Sequence, residues 1–272
     1  MHTNRSDGFH DPSELVGIAA SQGVRVMAIT DHDTLAGISE AVARGRELGV
    51  RVIPGIELSV RIPHGNMHLL GYFPDEAPSP ICERIQGFAD TRTVRAREMV
   101  DRLAELGAPL SWAAVLAVAG GAPIGRPHIA EALINAGHVT ERQEAFDLYL
   151  ATGKPAHVRS DGLDPEEAVD LVRSSGGAAV LAHPDSLKLD DAHLDPLVGR
   201  LARAGLAGIE VHRPEHTADQ FARFRGLAER WDLIPSGGSD YHRPSGPHMP
   251  GATGDPPLPT DTVDRLLAFA LR

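Results

Sequence analysis

The chain has 272 residues, a formal net charge of −11 at pH 7 and one cysteine, Cys82. This length suffices for one large α/β domain with an insertion, the negative charge argues against binding to long nucleic acid, and a single cysteine excludes an internal disulfide. No apolar run has the length of a membrane span and no secretory leader precedes the first element, so a cytoplasmic protein without membrane attachment is expected.

The first part of the chain predicts alternating helices and strands. The segment Asp11-Pro12-Ser13-Glu14 is typical of a helix start, with Asp11 as the N-cap and Pro12 in the first turn. A helix to about residue 22 follows, and a second helix is expected over about 34–48. Short apolar runs predict strands over residues 24–30, 51–60 and 67–73.

The middle of the chain, from about residue 74 to residue 155, changes to helical periodicity. Strand and helix patterns alternate again from residue 156 to the end. Repeated strand–helix units predict parallel strands joined by right-handed crossovers. We therefore expect residues 1–73 and 156–272 to form one α/β barrel with metal-binding groups, and residues 74–155 to form an inserted helical subdomain.

Histidine and acidic residues stand at or near the ends of six predicted strands. They are Asp31, His32, Asp33, Glu57, His68, His183, His212, Asp240 and His242. In a barrel the carboxyl ends of the strands face the same side, where ligands and catalytic groups gather. A solitary residue of this kind is more often a cap or a hydrogen-bonding group, but burying several of them together without a cation leaves uncompensated polar groups. The pattern therefore predicts a metal site.

The donor types indicate the metal and its chemistry. Mixed His, Asp and Glu ligands without a thiolate suit Mn²⁺, Zn²⁺ or Fe²⁺, and the donor types do not choose among them. Mn²⁺ is the expected ion, with Zn²⁺, Fe²⁺ or Mg²⁺ as alternatives. Because one ion cannot use so many donors, we expect a cluster in which a carboxylate such as Glu57 bridges, and bridged metals activate water and bind phosphoryl oxygens. A lysine-bridged centre for amide hydrolysis fits less well, since neither Lys154 nor Lys188 ends a strand.

In their order, these motifs resemble those of the polymerase and histidinol phosphatase (PHP) family. The matching segments are S-D-G (6–8), T-D-H-D (30–33), G-I-E-L-S (55–59), A-H-P (182–184), G-S-D-Y-H (238–242) and, in the insertion, G-R-P-H-I-A (125–130) and G-K-P-A (153–156). The chain is most similar to the branch of small phosphoesterases that act on nucleoside 3′,5′-bisphosphates and short RNA 5′ ends. The resemblance implies an α/β fold of the distorted (βα)₇ TIM-like barrel type.

The resemblance also implies a site of up to three divalent ions, in which His183, Asp240 and Glu57 are catalytic. The implied ligand sets are His2, Glu57 and Asp240 for one metal; Glu57, His68 and His183 for a second; and Asp7, His32 and His242 for a third. From the insertion, Arg126, His128 and Lys154 would bind the phosphate or the leaving-group side of the substrate. Two alternatives stay open, a surface salt bridge for Arg126 and packing against the barrel for His128.

The start of the chain departs from the family pattern. The family's first motif is His-x-His at the end of the first barrel strand, and His2 takes the place of the second histidine, while the first would precede Met1. We therefore expect the first strand to be missing from this chain. Either translation starts upstream of Met1, or the chain is truncated, with a weakened first metal site and an open sheet edge that invites pairing or aggregation.

The expected function is metal-dependent hydrolysis of small phosphomonoesters. The expected substrates are nucleoside 3′,5′-bisphosphates, which would lose the 3′-phosphate, together with the 5′ ends of short RNA. This substrate assignment rests on the resemblance alone. Histidinol-phosphate phosphatase activity and a non-catalytic module that binds metal or phosphate are the alternatives. The expected partner is a small phosphorylated substrate, with no long nucleic acid, membrane or obligate protein partner.

Overall fold

The computed structural model of the chain describes residues 1–63, 66–74, 79–158, 162–246 and 248–271. Its centre is a curled six-stranded sheet in which the strands lie side by side in chain order. The strands are β1 (Val26–Ile29), β2 (Arg51–Arg61), β3 (Asn66–Tyr72), β4 (Ala178–Leu181), β5 (Gly208–His212) and β6 (Ile234–Gly237). The expected α/β class is confirmed.

The direction of β3 differs from the sequence prediction. β1 and β2 are parallel, and so are β4, β5 and β6, but β3 is antiparallel to both β2 and β4. The prediction that the strands are all parallel is therefore wrong at β3, and the described residues contain six strands rather than seven βα units. The reason is the short connection between Arg61 and Asn66, because a parallel crossover needs a dozen or more residues.

Helices cover the sheet and form the middle of the chain. They are α1 (Pro12–Ser21), α2 (Ile38–Leu48), α3 (Ser79–Glu105), α4 (Trp112–Ala119), α5 (Arg126–Asn135), α6 (Arg142–Ala145), α7 (Pro165–Ser174), α8 (Asp191–Ala204), α9 (Ala218–Arg230) and α10 (Thr262–Ala270). A π-helical turn (Phe146–Leu150) and a 3₁₀ turn (Pro184–Leu187) complete the set. The helix start predicted at Asp11 is confirmed, since the Asp11 carboxylate accepts a hydrogen bond from the Glu14 N–H. No described helix combines the length and the apolar character that crossing a membrane requires.

Separate hydrophobic clusters lie under the sheet and within the middle segment. Ile56, Leu181 and Phe224 belong to the cluster between the sheet and its helices. Leu103 and Leu133 belong to a second cluster, which is formed by residues between Ala96 and Ala156. The division into a barrel (1–73 and 156–272) and an inserted subdomain (74–155) remains a prediction, and this second cluster is compatible with it.

Residues 1–3 lie between the two outer strands of the sheet. The Met1 carbonyl accepts a hydrogen bond from the Thr30 N–H at 3.0 Å, and the His2 N–H donates to the Tyr241 carbonyl at 2.9 Å. Among the described residues, β1 and β6 are the outer strands of the sheet. A cavity of about 530 Å³ occupies this region, and Met1 lines it. Residues 1–3 therefore connect the two edges of the sheet at the end where the predicted donors lie.

Candidate metal centre

The strand ends and the first turn of the chain bring the predicted metal donors to one place. Glu57 lies within β2 and His68 within β3, while His183 is the second residue after β4. The remaining donors come from the N-terminal turn and from the segments after β1 and β6: His2, Asp7, His32, Asp240 and His242. These segments meet because their strands belong to one curled sheet whose edges are joined by residues 1–3.

The buried Glu57 carboxylate lies at the centre of the cluster. Its Oε1 atom is 2.6 Å from His68 Nδ1 and 2.9 Å from His183 Nε2, and these two ring nitrogens are 3.2 Å apart. Its Oε2 atom is 3.0 Å from His2 Nε2. Because the two oxygens of one carboxylate face different imidazoles, Glu57 has the geometry of a bridging ligand.

Asp240 and Asp7 extend the cluster on two sides of His2. Asp240 Oδ1 is 3.2 Å from His2 Nε2, and Asp7 Oδ1 is 3.8 Å from His2 Nδ1. Asp7 Oδ1 is also 4.0 Å from His32 Nε2 and 3.4 Å from His242 Nε2. The His2 ring stacks on the His242 ring with a centroid distance of 4.1 Å. His2 therefore presents one ring nitrogen to each side of the cluster.

Three overlapping groups have donor atoms that all lie within 4.8 Å of one another. The groups are His2, Asp7, His32 and His242; His32, Glu57 and His68; and His2, Glu57 and Asp240. The trio of Glu57, His68 and His183 is equally compact, at the distances given above. The structure thus brings together the members of each predicted ligand set. It adds that His2 and His32 each lie close to two groups, which the sequence did not indicate.

The buried carboxylate of Asp31 holds the turn that carries His2 and Asp7. Asp31 Oδ1 accepts hydrogen bonds from the Thr3 N–H at 2.7 Å and from the Ser6 hydroxyl at 2.5 Å, and Oδ2 accepts from the Thr3 hydroxyl at 2.7 Å. These donors and the carboxylate are buried, so each bond satisfies a group that water cannot reach. Asp31 of the T-D-H-D motif therefore positions the S-D-G turn, and it belongs to none of the compact donor groups found among the described residues.

The backbone is constrained at three positions beside the cluster. A Cβ atom at Gly8 would lie 2.2 Å from the carbonyl oxygen of His2, so only glycine fits in the S-D-G turn. His183 and Asp240 have φ angles of 24° and 48°, in the left-handed region. Such conformations cost about 1–3 kcal/mol each and persist where the surrounding contacts hold them. Both donors therefore depend on neighbours that fix their backbone.

The pKa values of the buried histidines diverge. Burial lowers the pKa of His2, but the close Asp240 and Glu57 carboxylates outweigh burial and raise this pKa to about 10. Burial also lowers the pKa of His183, and the contact with Glu57 raises it to about 9. Burial lowers the pKa of His32 to about 3 despite the nearby Glu57 carboxylate. In the metal-free protein His2 and His183 therefore carry the positive charge that balances the carboxylates.

The carboxylates of the cluster stay ionised. Burial raises the pKa of Asp7, Glu57 and Asp240, but the neighbouring histidines outweigh burial and hold each pKa well below its ordinary value. Ionised carboxylates in a buried cluster need compensating positive charge. Divalent cations supply that charge, and they bind imidazoles in the neutral form.

Several buried donor atoms have no hydrogen-bond partner among the described residues: His2 Nδ1, His2 Nε2, Asp7 Oδ1 and His32 Nδ1. His2 Nε2 is close to two carboxylate oxygens, but not with the geometry of a hydrogen bond. Unsatisfied buried polar atoms cost free energy, and coordination to a cation removes that cost. Imidazole and carboxylate donors without thiolate suit first-row divalent ions. The residues present therefore fit a divalent metal.

The predicted substrate-binding residues differ in their distance from the cluster. His128 is buried beside the N-terminal turn: burial lowers its pKa, and a hydrogen bond with the Ser6 backbone opposes this shift. Arg126 is half-buried at the start of α5, and its guanidinium donates to the Leu150 carbonyl at 3.3 Å. Lys154 is exposed, and in the described part of the chain no contact joins its side chain to the cluster.

Sequence reasoning missed several residues that contact the donor segments. Arg92 of α3 contacts the Asp33 carboxylate and donates to the Ser59 hydroxyl at 3.0 Å, so it connects the helical segment to the barrel. Glu210 of β5 accepts a hydrogen bond from the His183 N–H at 2.7 Å. An acidic residue in an otherwise apolar strand was a usable signal for Glu210, whereas nothing in the spacing marks Arg92.

His212 and Arg213 show that neighbouring residues at one strand end differ in role. His212 Nδ1 donates to the Pro256 carbonyl at 2.9 Å, and its ring packs edge-on against Phe221. His212 therefore contacts residues outside the donor cluster. The next side chain, Arg213, contacts the Asp240 carboxylate instead.

An α/β sheet that gathers imidazole and carboxylate donors around one bridging carboxylate defines a class of metal-dependent hydrolase. Comparisons with known proteins identify the family within that class. A family model described as PHP domain matches residues 1–79. The chain is 34% identical to a 5′-3′ exoribonuclease of Haemophilus influenzae over 90% of this chain and 89% of the relative. The chain belongs to the PHP family.

Two further comparisons cover nearly the whole chain. It is 32% identical to a 3′,5′-nucleoside bisphosphate phosphatase of Chromobacterium violaceum, over 95% of this chain and 92% of the relative. A solved structure from Bifidobacterium adolescentis, described as a metal-dependent phosphoesterase, superimposes with a TM-score of 0.85 and 32% identity. It covers 98% of this chain and 94% of that chain. The Bifidobacterium adolescentis structure is therefore similar in fold to nearly the whole chain.

Proposed function

We propose that this chain is a metal-dependent phosphoesterase that hydrolyses nucleoside 3′,5′-bisphosphates and releases the 3′-phosphate. The observation that carries the proposal is the convergence of His2, His68 and His183 on the two oxygens of the Glu57 carboxylate. A relative of similar length is named for this substrate class. Removal of nucleotides from the 5′ end of short RNA is a second proposed activity, favoured by the name of the Haemophilus influenzae relative.

The proposed cofactor is a cluster of up to three divalent ions, with Mn²⁺ as the favoured metal. The proposed ligand sets are those brought together around Glu57, Asp240 and Asp7. When bound, such ions supply Lewis-acid activation of water and neutralise phosphoryl oxygens. Glu57, His183 and Asp240 are the proposed catalytic ligands. These donors come from different strands and lie together at the place where a phosphoryl group would bind.

The chain's own residues contribute positioning and charge. The ionised carboxylates would hold the cations, and the burial of His2 and Glu57 strengthens electrostatic interactions on that side of the cluster. The half-buried Arg126 is proposed to bind a substrate phosphate, because a guanidinium forms paired hydrogen bonds with phosphate oxygens. His128, beside the Ser6 backbone, is proposed to contact the substrate from the same side. Lys154 is also proposed to bind the substrate, which it would reach from an exposed turn.

The proposed substrate is small for electrostatic reasons. The chain carries a formal net charge of −11, so a long polyanion is repelled by most of the surface. A nucleotide needs positive charge only locally, where the metal centre and Arg126 would supply it. We propose the cytoplasm as the compartment, because nucleotides and short RNA of this kind are intracellular.

Phosphate release from adenosine 3′,5′-bisphosphate in the presence of Mn²⁺ tests the proposal. We expect activity in the full chain and its loss in His183→Ala and Asp240→Ala. His193→Ala is the matched control, because His193 is an exposed histidine whose described partner is Asp190, outside the donor cluster. Equal activity in all three variants would contradict the proposal.

A substrate panel separates the remaining alternatives. Preference for histidinol phosphate over adenosine 3′,5′-bisphosphate would identify the chain as a histidinol-phosphate phosphatase. Shortening of a 5′-phosphorylated oligoribonucleotide would support the exonuclease activity. Metal binding without turnover on any of these substrates would indicate a non-catalytic module.

A further inference from the structure

We propose that Arg213 is a positioning residue of the metal centre, which holds the Asp240 carboxylate directly and the His183 backbone through Glu210. The inference rests on the proposed metal-dependent function, because it concerns donors of the same centre. Arg213 itself lies behind the donors, immediately after β5. It is not expected to touch substrate.

The guanidinium of Arg213 contacts three carboxylates. Its Nη1 donates to Glu210 Oε2 at 3.1 Å, and its Nη2 is 3.5 Å from Asp240 Oδ2 and 3.4 Å from Glu215 Oε2. The side chain is only 6% exposed. A planar guanidinium can direct separate N–H groups to carboxylates on different segments, which the single ammonium of lysine cannot do in the same geometry.

The two oxygens of Asp240 face different partners. Oδ1 points into the donor cluster, 3.2 Å from His2 Nε2, while Oδ2 faces Arg213. This division leaves one oxygen available to a metal and fixes the rotation of the carboxylate with the other. Outer partners of this kind orient ligands and set metal affinity.

Glu210 links Arg213 to a second donor, His183. Glu210 Oε2, the atom that Arg213 contacts, also accepts the His183 backbone N–H at 2.7 Å. His183 has a φ angle of 24° and Asp240 one of 48°, so both donors hold strained conformations. One ion-pair network from Arg213 therefore joins two strained donors that follow different strands, β4 and β6.

The local sheet geometry explains why Arg213 reaches this position. The pairing of β5 with β6 shifts between Glu210 and His212, which is the signature of a β-bulge. Bulges redirect side chains at sheet ends, often next to active sites. Because of the bulge, Glu210 and Arg213, which are three residues apart, meet at the same side of the sheet.

Stability alone is a weak reason to bury this network. Replacing buried ion pairs by apolar residues is often neutral or stabilising, because the desolvation of charges offsets their attraction. An arginine that orients a metal ligand is retained for a different reason: without it, Asp240 loses a partner and can rotate. Removing only one partner of such a network does destabilise the fold, so the proposal is tested by the Mn²⁺ affinity of the variant under conditions in which it is folded.

The test measures Mn²⁺ binding by calorimetry on the metal-stripped full chain, together with thermal unfolding without metal. We expect Arg213→Met to weaken Mn²⁺ binding by about 10- to 100-fold, the range typical of outer partners of metal ligands. Arg213→Lys keeps the charge and should recover part of that loss. Arg223→Met is the matched control, because Arg223 also pairs with an aspartate, Asp191, but lies on α9 outside the network; its affinity should equal that of the unmodified chain.

A folded Arg213→Met protein that binds Mn²⁺ within about twofold of the unmodified chain would overturn the inference. If Arg213→Met does not fold, Glu210→Gln decides, since the carboxamide keeps the shape but loses the charge that Arg213 contacts. Weakened Mn²⁺ binding in folded Glu210→Gln supports the role, and unchanged binding refutes it. Failure of the unmodified chain to bind Mn²⁺ is a different outcome, because it would refute the proposed function itself.

Discussion

A single methyl group at Gly237 should displace the segment that carries Asp240. Gly237 ends β6 and pairs with His212 of β5. A Cβ atom at this position would lie 2.0 Å from the His212 carbonyl oxygen and 2.7 Å from the carbonyl carbon. Because both atoms belong to the backbone, no side-chain rotation can relieve the contact. The variant Gly237→Ala must therefore separate the ends of β5 and β6.

The size of the effect follows from the distances. Real Cβ contacts are essentially never shorter than 3.0 Å, so β6 must move by at least the difference, 3.0 − 2.0 = 1.0 Å, relative to His212. Overpacking typically costs about 1–3 kcal/mol, and a clash between two backbone segments belongs at the upper end. At about 2–4 °C per kcal/mol, the melting temperature should fall by roughly 6–12 °C. Mn²⁺ affinity should fall as well, because Asp240 moves away from His2.

The neighbouring Gly238→Ala variant is the control. Its added Cβ would meet Glu210 Oε1 at 3.9 Å, which is an ordinary contact. Thermal unfolding of the metal-free proteins and Mn²⁺ titration should separate the two variants, with Gly238→Ala close to the unmodified chain. Equal melting temperature and Mn²⁺ affinity in Gly237→Ala and the unmodified chain would show that the approach of β6 to β5 does not position Asp240.

Further predictions concern protons, the N-terminal turn and the substrate side. Mn²⁺ affinity should rise between about pH 7 and pH 10, because His2 (pKa about 10) and His183 (pKa about 9) must lose protons to bind metal; calorimetry at several pH values checks this, and a flat profile would contradict it. These raised pKa values stabilise the metal-free fold fully below the unfolded value of 6.5, and the contribution is lost as pH rises through about 9 to 10. In the presence of a chelator, the free energy of unfolding should therefore decrease as the pH rises through about 9 to 10. Saturating Mn²⁺ should remove this decrease. Asp31→Ala should lower the free energy of unfolding by about 1–3 kcal/mol, because it leaves buried donors of the first turn unpaired; denaturant titration measures the loss, and an unchanged midpoint would argue against this anchor. Arg126→Ala should raise KM for a bisphosphate more than it lowers kcat, and an unchanged KM would remove Arg126 from the proposed substrate side.

The types and order of the candidate donors could be predicted from the sequence because they lie in short motifs at strand ends. T-D-H-D and A-H-P each place polar residues just after an apolar strand, and G-I-E-L-S places Glu57 within one, which local patterning detects. The α/β class and the helix start at Asp11 follow from equally local signals. The proximity of the donors was an expectation from fold logic, and the structure places them within hydrogen-bond and ion-pair distances.

Contacts between residues far apart in the chain were beyond such patterns. Asp31 bonds to Thr3 and Ser6 across more than twenty positions, and nothing in T-D-H-D shows that its first aspartate supports a turn rather than binding metal. The exposed Lys154 was predicted at the substrate side from its motif alone. Its position relative to the cluster depends on how the helical segment packs, and the spacing of residues along the chain does not predict that packing.

By itself, the sequence determined which chemical groups are available and in or after which strands they stand, since strand period and turn composition are local properties of the chain. Only the tertiary structure decided that His2 and His32 each lie between two donor groups and that Arg213 joins Asp240 to Glu210. The physical reason is that these arrangements depend on close packing and on the pairing of buried charges between distant segments, whose energies appear only when the segments meet.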